Sequence, residues 1–396
     1  MIFIKNKMLK PTIISISMAT VMAGAAISPA LGVIAKAFPE ASSTMIKLIL
    51  TAPALTIIPF TFLTSYLTTK FSKRTIVLFG LLIYLIGGIG PQFMPTIELL
   101  VLFRLVLGAG VGILMPLSES LIYDYFTGIE RTKMMGYNAG FSNFGGIVTM
   151  LLAGGLATFG WQLPFNVYLL GLVIFVLVFF YLPKGGIQQP PQNEKKLKIP
   201  LAVYGYSLAM GVIMLAYYAV ATNIALYLEQ TNLGGPALAG VVVSFVTIGG
   251  MVTSLLLVQI ESILTQFLIP VMLLAMGISF SVMSFTNSVL LLMISVCFIG
   301  FAQGALFPVL TMKTLNTVKL HQTDKAIAVS TAFIFSGQFL SPLVLDSICK
   351  LANQTAIRFQ FGVLSVGVLI SAVIVFFFVK DRPSTLLHEQ TEKKSD

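Results

Sequence analysis

The sequence has little charge. Only 10% of its 396 residues are Asp, Glu, Lys or Arg, whereas 57% are hydrophobic. Soluble domains are about one quarter charged, so this chain has too few polar side chains to cover a surface in water. The composition excludes an ordinary soluble protein and predicts that lipid surrounds much of the chain.

Cysteine and histidine are also scarce, with two residues of each. Cys297 lies in an apolar run and Cys349 near the end of another, so no disulfide framework is indicated. His321 and His388 lie in polar segments, and no Cys/His metal spacing, phosphate loop or nucleophile motif occurs. We therefore expect neither an enzyme nor a cofactor or metal site, and the missing phosphate loop argues against ATP-driven transport by this chain.

Long apolar runs are abundant instead, and they predict an all-α integral membrane protein with twelve transmembrane helices. The predicted spans of the first half are 11–36, 44–68, 75–95, 98–123, 133–157 and 163–182. Those of the second half are 200–226, 236–258, 265–285, 288–314, 326–346 and 355–379. The first run follows three lysines, as in a signal peptide, but it continues to about Ile34 without a clear cleavage site. We interpret it as the first span and keep the signal peptide as the alternative.

One long polar linker divides these spans. The predicted organisation is an N-terminal six-helix half at 1–182, a linker at 183–199, a C-terminal six-helix half at 200–380 and a disordered tail at 381–396.

The basic residues are distributed unevenly between the two sides of the predicted membrane. Arg104 lies inside span 4, and most of the 24 Lys and Arg residues fall on the side of the termini and the linker. The opposite side holds Lys36, Lys47, Lys350 and Arg358. The positive-inside rule places both termini and the linker in the cytoplasm of a cell whose plasma membrane the chain crosses. The net charge of +10 then reflects topology and does not indicate nucleic-acid binding.

A short pattern occurs twice, at an offset of 192 residues. The two copies share the glycines and the proline at these positions: Gly108, Gly112 and Pro116; Gly300, Gly304 and Pro308. Duplicated membrane halves around a central site are typical of secondary transporters. The glycines also fit close helix packing, and the prolines predict kinks in spans 4 and 10.

Twelve spans, a basic central linker and repeated halves resemble the major facilitator superfamily over essentially the whole chain. Among its members, the chain is most similar to the twelve-span bacterial drug–proton antiporters. This resemblance implies a monomer that moves a small-molecule substrate and protons.

The loop after span 2 resembles the superfamily motif Gly-x-x-x-Asp-Arg-x-Gly-Arg-Lys. The basic positions are kept as far as Arg74, but serines replace the glycines and Thr69 replaces the acid. In the family this loop holds the two halves together in the outward-open state, and one of its basic residues pairs with an acid at the end of span 4. Asp124 stands at that position, so the resemblance implies a contact between Lys73 and Asp124. Thr69 lacks the charge that a helix N-terminus favours. The alternative is that these basic residues act only as topology signals.

Two further motifs concern coupling. Span 4 contains Arg104-Leu-Val-Leu-Gly108-Ala-Gly110. The resemblance implies that Arg104 faces the interior and takes part in proton coupling. The alternative is that it snorkels to the outer surface.

In span 5, Gly146 and the glycines near position 155 fit the antiporter motif, but its Gly-Pro pair is lost. That loss weakens the case for export by proton exchange. Span 11 has Ser341-Pro342 near the equivalent place.

Glu119 is the acid best placed within a predicted span. Burial disfavours a charged carboxylate, so such a group is able to carry a proton; the alternative is that it reaches cytoplasmic water. Arg104 is fifteen residues away on the same helix, about 22 Å along the axis. Our hypothesis is that Glu119 loads and releases a proton while Arg104 biases the outer gate.

The resemblance implies a substrate cavity lined by spans 1, 4, 7 and 10, with spans 2, 5, 8 and 11 beside them. The polar or aromatic candidates within it are Asn138, Asn143, Tyr217, Tyr218, Asn223, Gln303 and Gln338. The alternative for each of these residues is a hydrogen bond between two helices.

The predicted function is proton-coupled export of lipophilic small molecules by alternating access. The alternatives are a dedicated carrier of one metabolite, sugar or siderophore-like compound, and a transporter-like receptor.

Overall fold

A computed structural model describes residues 2–183, 199–319 and 322–378, and every structural statement here concerns those residues. Helices of the first half are α1 (Ile2–Ala25), α2 (Leu31–Ala37), α3 (Ser43–Leu67), α4 (Lys73–Ile89), α5 (Ile97–Tyr125), α6 (Gly128–Ala157) and α7 (Leu170–Tyr181). Those that follow are α8 (Leu201–Gln230), α9 (Pro236–Leu264), α10 (Leu268–Phe285), α11 (Val289–Leu315), α12 (Thr323–Leu351) and α13 (Ile357–Phe378). The predicted all-helical fold class is confirmed.

Eleven helical stretches in the described part of the chain are long and apolar enough to cross a membrane. One of them, Pro236–Phe285, has 50 residues, about 75 Å of helix at 1.5 Å per residue and therefore more than twice a hydrocarbon core. It contains both α9 and α10, which meet at Thr265 in a left-handed backbone conformation with φ 46°. This stretch therefore corresponds to two of the twelve predicted spans.

Several predicted boundaries were wrong, including those of spans 5 and 8. Helix α6 begins at Gly128, five residues before the predicted start of its span. Helix α9 continues to Leu264, so Glu261, expected in a loop, lies in the helix and is buried. The spans were predicted from runs of apolar residues. Where a helix carries polar residues the run ends, although the backbone hydrogen bonds continue, so the predicted span is shorter than the helix.

Polar side chains mark several helix ends. Ser42, Ser72 and Thr96 precede α3, α4 and α5, and each side-chain oxygen accepts a hydrogen bond from the backbone N–H three residues on. This is N-capping, which satisfies donors that the first turn leaves open. After α8 and α12 the chain turns at Asn232 and Asn353, with φ 53° and 51°, the left-handed conformation that asparagine tolerates at helix C-termini.

The first span is interrupted between α1 and α2 by a 3-10 segment at Ser28–Ala30. Pro29 lies inside that segment. Its nitrogen carries no hydrogen and its ring crowds the carbonyl four residues earlier, so Pro29 removes an α-helical hydrogen bond and favours a break. The break leaves the last carbonyls of α1 without their usual donors.

The described residues form two compact units, one of 2–183, 199–244, 314–319 and 322–346, and the other of 245–313 and 347–378. In the first unit α1 packs against α5, α6 and α7, while α3 and α4 pack against α5. In the second unit α10 packs along α13, with the rings of Phe280 and Phe361 stacked at 6.3 Å.

The repeated glycines make equivalent contacts in each repeat. Gly108 and Gly112 lie against the backbone of α3 at Pro53 and Ile57, and Gly300 and Gly304 lie against α9 at Val246 and Gly250. A Cβ at Gly112 would lie 2.6 Å from the Ile57 oxygen, and one at Gly304 would lie 2.8 Å from the Gly250 oxygen. Any side chain there would push the helices apart, so these glycines serve close packing. The three prolines Pro116, Pro308 and Pro342 lie inside α5, α11 and α12.

Candidate functional site

Arg104 is fully buried in α5 and binds three oxygens of neutral groups. Its Nε donates to the Ile49 carbonyl at 2.8 Å, its Nη2 to the Ala23 carbonyl at 2.9 Å and its Nη1 to the Tyr168 hydroxyl at 2.7 Å. The guanidinium also lies 5.3 Å from the centre of the Tyr168 ring, a cation–π distance. The side chain therefore does not snorkel to the surface. We call Arg104, Ile49, Ala23 and Tyr168 the arginine cluster.

The sequence explains why two carbonyls are available to Arg104. Pro53 in α3 cannot donate to the carbonyl four residues earlier, which is that of Ile49. Ala23 belongs to the last turn of α1, where the break at Pro29 leaves carbonyls open. The negative end of the α1 dipole adds a favourable field for a cation. Pro53 and the end of α1 thus leave open the two carbonyls that make a buried guanidinium tolerable.

Two tyrosines pack beside this guanidinium in different ways. The Tyr168 and Tyr84 rings meet edge to face with centroids 5.7 Å apart. The Tyr168 hydroxyl accepts from Arg104 and donates to the Ala23 carbonyl at 3.4 Å. The buried Tyr84 hydroxyl has no partner in the described part of the structure. Tyr168 is therefore part of the cluster, whereas Tyr84 contributes packing alone.

Span 7 reaches the same end of α1. The Tyr218 hydroxyl donates to the Gly24 carbonyl at 3.4 Å. Ser28 donates to the Ala221 carbonyl at 2.5 Å. The end of α1 therefore accepts hydrogen bonds from two predicted residues, Arg104 and Tyr218, on two different helices. Gln338 is buried in α12.

A buried ion pair joins α3 to α12, and sequence reasoning missed it. Lys47 Nζ lies 2.5 Å from Asp346 Oδ1, with side-chain exposures of 0% and 8%. Thr44 donates to the other carboxylate oxygen at 2.8 Å. We call Lys47 and Asp346 the outer pair, because both lie at helix ends on the predicted outer side.

A local signal for the outer pair was present. Lys47 is the fourth residue of predicted span 44–68 and Asp346 is the last residue of predicted span 326–346, so each charge stands just inside an apolar run. Charges inside spans pair or face a cavity. Their partnership across 299 residues of sequence has no local signature.

Glu119 has a different environment from Asp346. Its side chain is exposed on α5, while its neighbours Leu117, Ser118 and Leu121 are buried. It lies toward the end of α5 that faces the predicted cytoplasm, well separated from Arg104. Within its predicted spans the structure thus presents two exposed carboxylates, Glu98 and Glu119, and one buried carboxylate, Asp346.

The implied contact between Lys73 and Asp124 is present, with Nζ and Oδ2 2.6 Å apart. Lys73 also donates to Ser120. Arg74 donates to the Phe179 carbonyl, and its guanidinium lies 5.6 Å from the Phe179 ring centre. Thr69, by contrast, donates to the Tyr66 carbonyl of its own turn at 2.8 Å. Lys73 and Arg74 thus contact α5 and α7. Thr69, which stands where the family has an acid, hydrogen-bonds within its own turn.

The remaining cavity candidates are dispersed. Asn138 accepts from Ser17 of α1, and Asn143 is half-buried farther along α6. Asn223 is fully buried and donates to the Ala219 carbonyl at 2.9 Å, while its amide oxygen has no partner in the described structure. Tyr217 is half-buried beside Tyr218, and Gln303 in the second unit lies near Gly250. Asn138 therefore bonds between helices, as the alternative interpretation expected, whereas the bond of Asn223 to Ala219 lies within α8.

Helix α6 is packed tightly at one end and open at the other. At its C-terminal end, a Cβ on Gly154 would lie 2.8 Å from the Pro236 carbonyl of α9 and 3.2 Å from Gly240. At its N-terminal end, Gly136 and Gly140 have nothing within 4 Å of a Cβ. Gly146 lies between, 3.1 Å from Val21. The predicted outer end of α6 is thus closed against α9.

Comparisons with known proteins agree with this geometry. The family model described as Major Facilitator Superfamily matches residues 13–269 and 265–395. Quinolone resistance protein NorA of Staphylococcus aureus is 24% identical over 319 residues, covering 77% of this chain and 80% of that protein. Multidrug resistance protein 3 of Bacillus subtilis is 29% identical over 119 residues, 29% of this chain and only 23% of that relative.

A solved structure shows the same fold. The crystal structure of a bacterial homologue of the human lysosomal transporter Spinster, inward-facing and occupied, has a TM-score of 0.77 and 14% identity. The match covers 94% of this chain and 96% of that one. At this identity the likeness concerns the fold alone.

Proposed function

The chain belongs to the Major Facilitator Superfamily, and we propose that it is a secondary transporter that exports lipophilic small molecules in exchange for protons. In this proposal residues 1–182 and 200–380 are the two six-helix halves, joined by 183–199. Both termini lie in the cytoplasm and the monomer is the working unit. The halves rock about a central site, as in other duplicated transporters.

The observation that supports alternating access best is the outer pair. It joins a span of the first half to a span of the second at a buried position. Replacing buried ion pairs by apolar side chains is often neutral or stabilising, so such a pair is weak evidence for a purely structural role. A pair between halves can instead separate and re-form as water enters. We therefore propose that the outer pair holds the outer side closed.

The contacts around it support the same closed side. Lys36 pairs with Glu229, and Ser28 and Tyr218 bond across the first and seventh spans. Gly154 packs on Gly240. All of these join first-half helices to second-half helices. The Lys36 pair and the Gly154 contact lie at predicted outer ends, and the bonds of Ser28 and Tyr218 lie farther inside their spans. The pair of Lys73 and Asp124 lies inside the first half. In our proposal it can persist in the outward-open state, because it does not join the two halves.

Two carboxyl groups are candidates to carry the proton. Glu119 is exposed in the cytoplasmic part of α5, where it can exchange protons with that side. Asp346 is buried against Lys47, and protonation would remove the attraction that closes the pair. In our proposal Glu119 is the carrier, and Arg104 holds spans 1, 2 and 4 in register during the cycle.

Export of lipophilic compounds is supported by the relatives, which are named for drug resistance. The surface of α6 is consistent with it, because Tyr137, Phe141 and Phe144 are exposed along its open end. Aromatic faces bind apolar and cationic ligands without requiring one fixed shape.

Dye efflux from pump-deficient bacterial cells tests the proposal. Wild type and Glu119→Gln are compared with and without a protonophore, after the amount of protein in the membrane has been matched. We expect efflux from wild type that both the protonophore and the substitution abolish. Full efflux by Glu119→Gln would remove Glu119 from the pathway. No efflux of any dye by well-folded protein would favour a dedicated metabolite carrier or a receptor.

A further inference from the structure

A groove runs along the seam between α10 and α13. Its volume is about 710 Å³. Its walls are apolar side chains, chiefly Phe285, Val363, Val366 and Leu369, with serines at its floor and Arg358 at one end. None of these residues has a role in the proposed transport pathway.

The length of the groove matches one leaflet of a bilayer. Arg358 and Leu369 are eleven residues apart on α13, about 16 Å at 1.5 Å per residue. A hydrocarbon core of about 30 Å gives each leaflet about 15 Å. Leu369 packs on Gly277, where a Cβ would lie 2.7 Å from its side chain. Leu369 is the last residue of α13 that lines the groove, and it lies near the predicted middle of the membrane.

The polar groups of the groove are arranged by depth. Within the seam, Ser281 and Ser365 hydrogen-bond each other at 2.5 Å, and Ser284 donates to the Ser281 carbonyl at 2.7 Å. These bonds satisfy the serines inside the protein, so the deep part of the groove is effectively apolar. The cation lies only at the outer mouth, at the second residue of α13.

Arg358 is fixed in position at that mouth. Its Nη2 donates to the Thr286 carbonyl at 3.2 Å and also to the Asn287 side chain. Both acceptors belong to the short loop after α10, so the guanidinium is anchored at the depth where lipid head groups lie. Guanidinium groups bind phosphate in a planar, two-pronged geometry.

Space inside the groove depends on Gly362. A Cβ at this position would have only the Ser284 Cβ nearby, at 4.0 Å. The face beside it is strongly exposed, with Phe285 at 82% and Val366 at 58%. A molecule bound here would therefore present one side to surrounding lipid.

We propose that this groove binds an anionic phospholipid of the outer leaflet. Its phosphate lies at Arg358 and one acyl chain lies along Val363, Val366 and Leu369. An apolar groove one leaflet long with a cation at the head-group level matches an anionic lipid better than it matches a second protein chain, because a protein surface would leave the guanidinium facing apolar side chains. The inference does not depend on the proposed transport activity.

Thermal unfolding of purified full-length protein in detergent tests the site. Dioleoyl phosphatidylglycerol or dioleoyl phosphatidylcholine is added at equal concentration, and unfolding is followed with a dye that reacts with Cys297 and Cys349. We expect phosphatidylglycerol to raise Tm several degrees more than phosphatidylcholine in wild type. Arg358→Gln should abolish that difference, and Lys350→Gln, which removes another outer charge outside the groove, should keep it.

Two further arms secure the interpretation. Gly362→Leu keeps Arg358 but fills the groove, so it should also lose the preference, and it serves if Arg358→Gln fails to fold. Soluble glycerol phosphate should not reproduce the stabilisation. Equal Tm shifts with both lipids, a preference retained in Arg358→Gln and Gly362→Leu, full protection by glycerol phosphate, or dimer formation that accounts for the shift would each overturn the proposal.

Discussion

Two cationic side chains are buried on the predicted outer side, and their hydrogen-bond acceptors differ in charge. Arg104 binds two carbonyls and a hydroxyl from three helices of the first half. Lys47 binds the carboxylate of Asp346, from a helix of the second half. Neutral oxygens offer no titratable partner, whereas a carboxylate can accept a proton and release its cation. The difference separates a fixed junction from a contact that can be broken.

The two sites share one helix. Ile49, which binds Arg104, is two residues from Lys47 on α3. If the outer pair separates, α3 stays attached to α1 and α5 through the arginine cluster. The first half can then move as one body, as rocking about a central site requires.

The largest expected effect comes from removing the fixed junction. Arg104→Leu leaves the buried Ile49 carbonyl without its donor, at a cost of about 1–3 kcal/mol, and removes the guanidinium bonds to Ala23 and Tyr168, which keep only their own 3.4 Å bond. Arg104→Lys keeps the charge but replaces a planar fork with a single ammonium, so it should restore only part of the loss. We expect little monodisperse protein from Arg104→Leu by fluorescence-detected size exclusion. Wild-type yield and Tm would contradict the role of the cluster.

Breaking the outer pair should be nearly as costly when one partner is removed alone. Lys47→Met leaves a buried carboxylate, and removing one partner of a buried pair typically costs about 3–5 kcal/mol. The double variant Lys47→Met/Asp346→Leu leaves no charge, so its Tm should return close to wild type while efflux stays low. A double variant as unstable as the single ones would show that the pair mainly supports stability.

A smaller change tests the arginine cluster against a matched control. Tyr168→Phe removes one hydrogen bond to a charged group, worth about 1.5–3 kcal/mol. Tyr84→Phe removes a neighbouring hydroxyl without a partner in the described structure, so it should be neutral or slightly stabilising. Tm measured in one detergent distinguishes them. Equal effects would mean that ring packing, not hydrogen bonding, determines the stability of this site.

The smallest effect is expected at the exposed pair of Lys36 and Glu229. Their side chains are 69% and 29% exposed, and exposed ion pairs contribute about 0–1 kcal/mol. Lys36→Gln should therefore change Tm and efflux little. A loss as large as that of Lys47→Met would mean that charge, irrespective of burial, closes the outer side.

Sequence reasoning recovered the elements that depend on local pattern. Apolar runs gave the spans, and the loop resemblance gave the contact of Lys73 with Asp124. It did not give the outer pair, because two charges 299 residues apart meet only through the packing of helices. It also left the exposure of Glu119 open, since hydropathy gives the depth of a residue in the membrane but not the helix face it occupies. Pro53 was visible, but the carbonyl it leaves open accepts a hydrogen bond only once Arg104 lies beside it.

The most direct test of the account asks whether the outer pair keeps the outer side closed. Thr51 is fully buried one turn from Lys47, and its hydroxyl has no partner in the described structure. In a background with Cys297 and Cys349 replaced by Ala, Thr51→Cys is labelled from outside intact cells with a membrane-impermeant maleimide. Asp346→Asn should raise the labelling rate about tenfold, the effect of a ~1.4 kcal/mol shift in the equilibrium, whereas Tyr168→Phe should not. Unchanged labelling in Asp346→Asn would contradict the account.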